Sequence, residues 1–320
     1  MAARPLIYRE ALIKTAEVGF KWPLLHEALS ICSCEISGDR IEICPRVIPV
    51  QSVRPYMAAG RRIFMTATLT DEAALLTTFG LPKECVEGAI TPDRADDIGD
   101  RLILIPQEIS PGIADDDIRG LAMRLAKRVN VVVLVPSGKR AEFWTASGGR
   151  FIKNDNIEKE IDALRAKHVG LVVMAGRYDG IDLPDDACRV LIIDGLPESQ
   201  RLLEKIDSMV LEDSEAVLSR QVQRIEQGMG RGVRSTSDFC VVLLMGPRLI
   251  SRVHSPKGRR KFSNATSRQL DLSDKVRQQL QGNASDKDAA LKGVAEMIQL
   301  ALSRDARWVQ GSRRLMVGVE

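Results

Sequence analysis

The stretch Val131-Val-Val-Leu-Val-Pro-Ser-Gly-Lys139 joins an apolar run directly to a polar loop. A run that is apolar at every position has no solvent-facing side, so it is typical of a strand buried on both faces of a parallel sheet. Five further short apolar runs are bounded by glycine, proline or polar residues in the same way and predict strands. They are Arg62–Met65, Leu102–Ile105, Leu171–Met174, Val190–Ile193 and Cys240–Met245.

Helical patterns separate these runs. Apolar residues recur at helical spacing over Ile118–Ala126, after an acidic start at Asp115–Asp117 that suits a helix N-terminus. The same spacing is present over Ile157–Leu164 and Leu202–Ile206. Strands that alternate with helices in this way predict βαβ units, and therefore an α/β fold with a doubly wound parallel sheet.

Length and composition bound the protein class. The chain has 320 residues, which suggests about two domains. Its 44% apolar and 28% charged residues exclude a mainly disordered protein, and its apolar runs are far shorter than the ~18 residues that a membrane span needs. Arg4, Arg9 and Glu10 interrupt the place where a signal peptide would have an apolar core, so we expect a cytoplasmic protein without a membrane partner.

The six cysteines offer a weak case for a metal site. Cys32, Cys34 and Cys44 form a C-x-C-x9-C group, which lacks a fourth ligand and any nearby histidine after His26. Reduced thiols in a half-buried strand region are the favoured interpretation, with a metal site kept as the alternative. We therefore predict no metal ligand in this chain.

Two segments interrupt the alternation of strands and helices. Residues 89–101 are polar and rich in turn formers, which predicts a linker between domains. Residues 246–268 carry seven lysines or arginines and no acid, and their prolines and glycine predict a broken loop. Further on, Ser285-x-x-Asp288 could cap a helix with an apolar face from Leu291 to Leu302.

The segment Gln227-Gly-Met-Gly-Arg-Gly-Val-Arg234 carries the strongest chemical signal. Arg231 and Arg234 are three residues apart, so both can point from one helical face. Glycines let backbone and ligand approach closely, and paired guanidinium groups suit the charge on a transferring phosphoryl group. A solvated arginine pair after a glycine-rich turn is the alternative.

Two more segments follow predicted strands. Gly176-Arg-Tyr-Asp-Gly-Ile-Asp-Leu-Pro184 comes after the run that ends at Met174, and ligands bind at the carboxyl ends of strands in open α/β sheets. Its aspartates could reach a ribose or simply form a turn. Thr66-Ala-Thr68 closes another predicted strand, where hydroxyl groups can relay hydrogen bonds between sites or cap a helix.

In this order, Thr66-Ala-Thr-Leu69, Pro136-Ser-Gly-Lys139, Gly176–Pro184 and Gln227–Arg234 resemble motifs III, IV, V and VI of superfamily 2 helicases. The resemblance covers roughly residues 55–250 and is closest to the repair-type branch. Asp179 departs from it, because that branch has glutamate there. The resemblance implies a RecA-like second motor domain that uses ATP.

The resemblance also implies roles for individual residues. Arg234 would be the arginine finger, and Arg231 would contact the phosphates or hold the motif. Nucleotide contacts would come from Gln227, Gly230, Gly180 and Asp182, and coupling from Thr66, Thr68 and Asp179. The nucleic-acid backbone would lie on Ser137, Lys139 and Arg177, with the basic residues Lys257, Arg259, Arg260 and Lys261 as a further contact.

No G-x-x-x-x-G-K-[ST] occurs in the chain, so no P-loop cradles the phosphates or holds Mg²⁺. We therefore expect ATP and its magnesium to be held mainly by a first motor domain with a P-loop, in the same or another chain. The chain would then be a truncated helicase, inactive by itself. The expected partner is single-stranded nucleic acid, with DNA favoured over RNA.

The predicted organisation has four parts. Residues 1–88 form the tail of a first motor domain, 89–101 a linker, 102–250 the RecA-like domain, and 251–320 a basic segment with a C-terminal helix. The leading function is the second motor domain of an ATP-dependent helicase. A non-catalytic module that binds nucleic acid or a partner is the alternative, and a dinucleotide-binding enzyme is disfavoured because no G-x-G-x-x-G follows a first strand.

Overall fold

A computed structural model describes residues 16–38, 40–65, 73–87, 90, 99–178, 180–199, 201–211, 214–233 and 238–316. The chain divides into two compact units. One comprises residues 1–91 with 201–207, and the other comprises residues 92–200 with 208–320.

The described part of the first unit contains a two-stranded antiparallel hairpin and short helices. Strands β1 (Cys32–Ser37) and β2 (Arg40–Pro45) pair from Cys32 opposite Pro45 to Ser37 opposite Arg40. The helices are α1 (Ala16–Leu25), α2 (Arg54–Ala58), α3 (Ala73–Phe79) and α4 (Lys83–Glu87).

The strand predicted at Arg62–Met65 is wrong. These residues have no regular structure, and the side chains of Ile63 and Met65 are 85% and 90% exposed. An apolar run becomes a strand only when a neighbouring strand completes its hydrogen bonds, and no described residue pairs with this run.

The second unit is built on a six-stranded sheet in which every pairing is parallel, in the order β3-β8-β7-β4-β6-β5. This confirms the predicted α/β fold with a doubly wound parallel sheet. The strands are β3 (Asp100–Leu104), β4 (Val131–Val135), β5 (Arg150–Phe151), β6 (Leu171–Ala175), β7 (Val190–Asp194) and β8 (Phe239–Met245). Strand β3 thus begins inside the segment that was predicted as a linker.

Strand β4 shows why this sheet is covered on both faces. All five of its side chains are fully buried. Val132 and Leu134 belong to one apolar cluster, whereas Val131, Val133 and Val135 belong to the other. Because successive side chains of a strand point to opposite faces, an unbroken apolar run requires helices on both sides.

Helices connect and follow the strands. Those predicted from apolar spacing are confirmed as α6 (Asp115–Leu125), α8 (Ile157–Ala166) and α9 (Leu202–Val210), the last of which begins in the first unit. The others before residue 250 are α5 (Pro106–Ile109), α7 (Gly138–Thr145), α10 (Glu215–Met229) and the start of α11 (Pro247–His254). After it come α12 (Pro256–Arg259), α13 (Asn264–Asn283), α14 (Lys287–Leu302) and α15 (Ala306–Met316).

The loop predicted over residues 246–268 is largely helical. Pro247 and Pro256 occupy the first turns of α11 and α12, where the missing N–H of proline costs nothing. Gly258 is fully packed, since a Cβ there would lie 2.0 Å from the carbonyl oxygen of Arg252. The prolines start helices here, so the prediction of a broken loop was wrong.

The C-terminal helices pack on the same sheet. Val276, Val294 and Trp308 are buried in the apolar cluster that contains Val133. The predicted cap of α14 is displaced by one position. Asp286 is the N-cap and accepts a hydrogen bond from the backbone N–H of Ala289 at 2.8 Å.

Candidate functional site

The loops that follow β4 and β6 lie side by side at the carboxyl edge of the sheet. Val135 pairs with Ala175, and the Gly176 N–H donates to the Val135 carbonyl at 2.9 Å. Ser137 and Arg177, each two residues beyond this last pair, are therefore brought to the same edge. Ser137 caps α7 by accepting from the Arg140 N–H at 3.3 Å, and Lys139 in the first turn is exposed.

Arg231 joins the glycine-rich segment to the loop after β6. Its Nε donates to the Tyr178 carbonyl at 3.0 Å and its Nη1 to the Ile181 carbonyl at 2.8 Å. The Leu183 N–H donates to the carbonyl of Arg231 at 3.3 Å, so a backbone hydrogen bond also joins the two segments. Of the two predicted roles of Arg231, these bonds favour holding the motif.

The three glycines of this segment differ in their surroundings. A Cβ at Gly228 would lie 3.2 Å from Ile193 and from Tyr178, and one at Gly232 would lie 2.6 Å from the Cys240 thiol. These two glycines therefore allow close packing against the sheet. At Gly230 a Cβ would meet no atom within 4 Å, so this backbone is open to a ligand.

A groove of about 520 Å³ lies between α8 and the loop after β6. Gly180, Asp182 and Arg231, predicted separately as nucleotide contacts or catalytic groups, all line it. The remaining lining residues are Glu158, Ile161, Asp162 and Arg165 of α8, together with Ile181. Gly180 has a φ of +71°, a left-handed conformation that favours glycine at this turn.

Arg165 was missed by the sequence analysis. Its Nη2 donates to the Asp182 carbonyl at 2.9 Å and lies 3.5 Å from the Asp182 carboxylate, so α8 fixes the position of this aspartate. In the sequence, Arg165 is recognisable only as a residue of a predicted helix. Its contact with Asp182 has no local signal, because Asp182 lies 17 residues away on another element.

A polar cluster built on the buried Asp194 lies next to the edge loops. Asp194, at the end of β7, accepts from Arg140 Nε and from the Trp144 indole N–H, both at 2.7 Å. Arg140 also donates to Asp115 at the start of α6 at 2.5 Å. Burial raises the pKa of the Asp194 carboxyl, and the hydrogen bonds from Arg140 and Trp144 offset part of that rise.

The basic residues after β8 form two separate groups. Arg259 points to α13, where its guanidinium contacts Asp271 at 2.6 Å and Asp274 at 3.4 Å. Lys261 pairs with Glu215 at 2.6 Å. The hydrogen bond from Lys261, with smaller contributions from Lys257 and Arg260, lowers the pKa of Glu215.

The charges of Lys261, Lys257 and Arg260 therefore all act on one carboxylate, and we call these three residues the basic patch. Lys257 and Arg260 are exposed and make no ion pair with any residue that the structure describes.

Residues 127–269 match the family model of the helicase C-terminal domain. This confirms the predicted resemblance to the C-terminal part of a helicase for that stretch. A solved structure of an XPD helicase aligns with 74% of the chain at 15% sequence identity and a TM-score of 0.48. The alignment covers 47% of that protein, so the chain spans about half its length. Among curated protein sequences, none matches the chain.

Several of the predicted site residues stay predictions. Arg234, Thr66, Thr68 and Asp179 lie outside the described residues. Gln227 is half-buried on α10, four residues before Arg231.

No helix in the described ranges is both long and apolar enough to cross a lipid bilayer. Within the same ranges, no three His, Cys, Asp or Glu side chains converge as metal ligands.

Proposed function

We propose that this chain supplies the second motor domain of an ATP-dependent nucleic-acid helicase of the repair-type branch. The observation that carries the proposal is the clamp of Arg231 on the loop after β6. It joins the two segments that resemble motifs V and VI, and the pairing of β4 with β6 brings the loop with Ser137 to the same sheet edge as the loop with Arg177. The hydrogen bonds of Arg231 would then connect a nucleotide bound at one of these segments to a nucleic-acid strand bound at the carboxyl edge.

The groove fits the sugar of a nucleotide better than its phosphates. Its lining contains three carboxylates, from Glu158, Asp162 and Asp182, against the two guanidinium groups of Arg165 and Arg231. Carboxylates accept hydrogen bonds from sugar hydroxyls and repel phosphates. Asp182 would therefore contact the ribose, with the open backbone at Gly230 and the side chain of Gln227 as further contacts.

The phosphate chemistry is divided between two domains in this proposal. Bound ATP supplies the γ-phosphoryl group that is transferred to water. Arg234 would stabilise the charge that develops on that group, while Mg²⁺ and the phosphate cradle would come from a domain with a P-loop. The described residues of this chain would position the nucleotide and transmit its state to the carboxyl edge.

Two surfaces would hold the phosphate backbone of single-stranded DNA. One is the carboxyl edge with Ser137, Lys139 and Arg177. The other is the basic patch, where Lys257 and Arg260 are exposed. Arg259 is expected to act within the fold, because its guanidinium is engaged with two aspartates of α13.

A binding module without catalysis is the second candidate. The sequence favours it through one observation, the absence of a G-x-x-x-x-G-K-[ST] segment. Both candidates predict nucleic-acid binding, and only the first predicts that a P-loop domain restores hydrolysis.

The binding test measures the affinity of the full chain for a fluorescein-labelled oligothymidylate over a series of salt concentrations. Replacing both Lys257 and Arg260 by alanine should flatten the log–log salt dependence by about 0.7 for each phosphate that the variant no longer neutralises. Arg259→Ala is the matched control. It removes one positive charge, but it should lower thermal stability and leave the slope unchanged. A flat salt dependence in the wild type would refute nucleic-acid binding.

The hydrolysis test compares the chain alone with the chain plus a first motor domain that has a P-loop. Alone, we expect no magnesium-dependent ATPase above background. In the reconstituted pair, Arg234→Ala should lower kcat by about 10³ with little change in KM. Robust turnover by the chain alone would contradict the division of labour, and no turnover by the pair would favour the binding module.

A further inference from the structure

Arg140 has no role in the function proposed above, yet its guanidinium contacts two aspartates and stacks on the Phe143 ring at the carboxyl edge. We use the name edge cluster for Asp115, Arg140, Trp144 and Asp194. Its members come from α6, α7 and the end of β7, so it ties three segments together. Asp194 is buried, with 2% of its side chain exposed.

The edge cluster extends to two more loops of the same edge. Gln107 of α5 donates to Asp115 at 2.8 Å and accepts from the Gly246 N–H, directly after β8, at 3.3 Å. A Cβ at Gly246 would lie 3.2 Å from Gly195, the residue after Asp194, so these two loops are in close contact. The loops after β3, β7 and β8 are thereby linked to the start of α7.

Among the described residues in the first turn of α7, only Arg140 has a side chain that bonds to Asp115 and Asp194. Its backbone N–H donates to Ser137 Oγ, and its guanidinium is held by Asp194 and Asp115. Lys139 precedes it and is exposed. A helix start that is anchored through one side chain presents its neighbours in a fixed direction, which lowers the entropy lost on binding.

We propose that Arg140 is a positioning residue for the phosphate contact of Lys139, acting through its ion pairs with Asp194 and Asp115. This inference rests on the proposed binding of nucleic acid at the carboxyl edge. Arg140 itself need not touch the strand. Its guanidinium holds the first turn of α7 at an angle from which Lys139 reaches a backbone phosphate.

Arg119 provides a matched control for Arg140. Both guanidinium groups stack on the Phe143 ring, at 4.1 Å for Arg119 and 4.4 Å for Arg140. Arg119 also pairs with an aspartate of α6, Asp116, at 2.5 Å. It differs in having no bond to Asp194, and its own link to α7 is a hydrogen bond from Nη1 to the Phe143 carbonyl at 2.6 Å, beyond the first turn. Arg119→Gln thus removes the same charge and a similar aromatic contact while leaving the anchor of α7 to β7 in place.

The test is a double-mutant cycle on the full chain with the labelled oligothymidylate at one fixed salt concentration. Arg140→Gln should weaken binding by about tenfold, a typical coupling between residues that act together. In a Lys139→Ala background the same substitution should have little further effect. Arg119→Gln should change the affinity by less than about threefold, since it leaves the bonds of Arg140 to Asp194 and Asp115 in place and a surface ion pair contributes little.

Each other outcome counts against the inference. An equal loss of affinity from Arg140→Gln in both backgrounds would mean that Arg140 acts independently of Lys139. If Arg140→Gln lowers the affinity neither in the wild type nor in the Lys139→Ala background, Arg140 has no effect on binding. An equal loss from Arg119→Gln would reduce the effect to net charge.

Two further measurements keep the inference separate from stability and from the proposed function. Thermal unfolding shows which variants are folded at the assay temperature. If Arg140→Gln is unfolded there, Asp194→Asn and Arg140→Lys replace it in the cycle, and both should give a smaller loss that also disappears without Lys139. If the wild type shows no salt-dependent binding, the proposed function fails before the cycle begins. Binding without coupling refutes the positioning role alone.

Discussion

Alanine at position 232 would collide with a side chain that cannot move away. A Cβ at Gly232 lies 2.6 Å from the Cys240 Sγ and 3.2 Å from the Cys240 Cβ, whereas non-bonded heavy atoms prefer separations of roughly 3.5–4.0 Å. The overlap with sulfur is therefore roughly 1 Å. Cys240 is 2% exposed and begins the core of β8, so its thiol cannot swing into solvent.

Overpacking of this kind costs about 1–3 kcal/mol of the free energy of unfolding. In a unit of this size each kcal/mol lowers the melting temperature by about 2–4 °C. Gly232→Ala should lower the midpoint of urea unfolding accordingly, with an unchanged slope against urea concentration.

Gly230→Ala is the control, two residues earlier in the same segment. Its φ is −74°, and a Cβ there meets no atom within 4 Å, so the change should stay within about 0.5 kcal/mol. The double variant Gly232→Ala with Cys240→Ala should lose less free energy of unfolding than the two single variants lose together. The second change removes the sulfur with which the new Cβ collides. Equal effects at positions 230 and 232, or strict additivity with Cys240, would refute the packing argument.

Two other predictions concern stability. The Asp117 carboxylate accepts a hydrogen bond from the Ala114 N–H and another from Lys287, and these bonds lower its pKa below the ordinary 3.8. The ionised carboxylate therefore contributes its full stability to the fold at pH values above 3.8. This contribution is lost as the pH falls through the lowered pKa of the folded state. Asp117→Asn should be less stable than wild type near neutral pH, with a difference that shrinks on acidification in unfolding curves. Thr266→Val should cost about 1.5–3 kcal/mol in the same assay, because it removes an acceptor from the buried, charged Arg101. Wild-type stability in either variant would contradict the assigned bond.

Five of the six strands of the parallel sheet were predictable because their signal is local, whereas the two-residue β5 carries no apolar run. Val131–Val135 and Cys240–Met245 are apolar on both faces, and that pattern has one common solution, burial between two helical layers. Arg62–Met65 has a similar composition but no partner strand among the described residues. Strand formation depends on that partner, which a single run does not encode.

The misread basic segment shows how position changes the meaning of a residue. Pro247 and Pro256 were interpreted as breaks, but each stands in the first turn of a helix, where proline is well tolerated. The same error places Arg259 beside Lys257 in a loop broken by prolines and a glycine. In the helical structure their side chains have different surroundings, since Arg259 contacts α13.

The candidate site was predictable as a set of segments, though not as a set of contacts. The glycine-rich segment and the loop after β6 were both singled out, and the structure brings them together through Arg231. The pairs Arg140–Asp194 and Arg165–Asp182 escaped notice because their members lie on different elements, 54 and 17 residues apart. Only the folded sheet puts such residues next to each other.

The order of the strands also bears on aggregation. One margin of the sheet is β5, which consists of Arg150 and Phe151 alone. A margin of two residues offers another chain almost no unpaired backbone on which to add a strand, and its arginine is already paired with Glu160. A partly unfolded second molecule of this protein would therefore find little backbone at this margin with which to form strand hydrogen bonds. The short length of β5 thus protects this margin of the sheet.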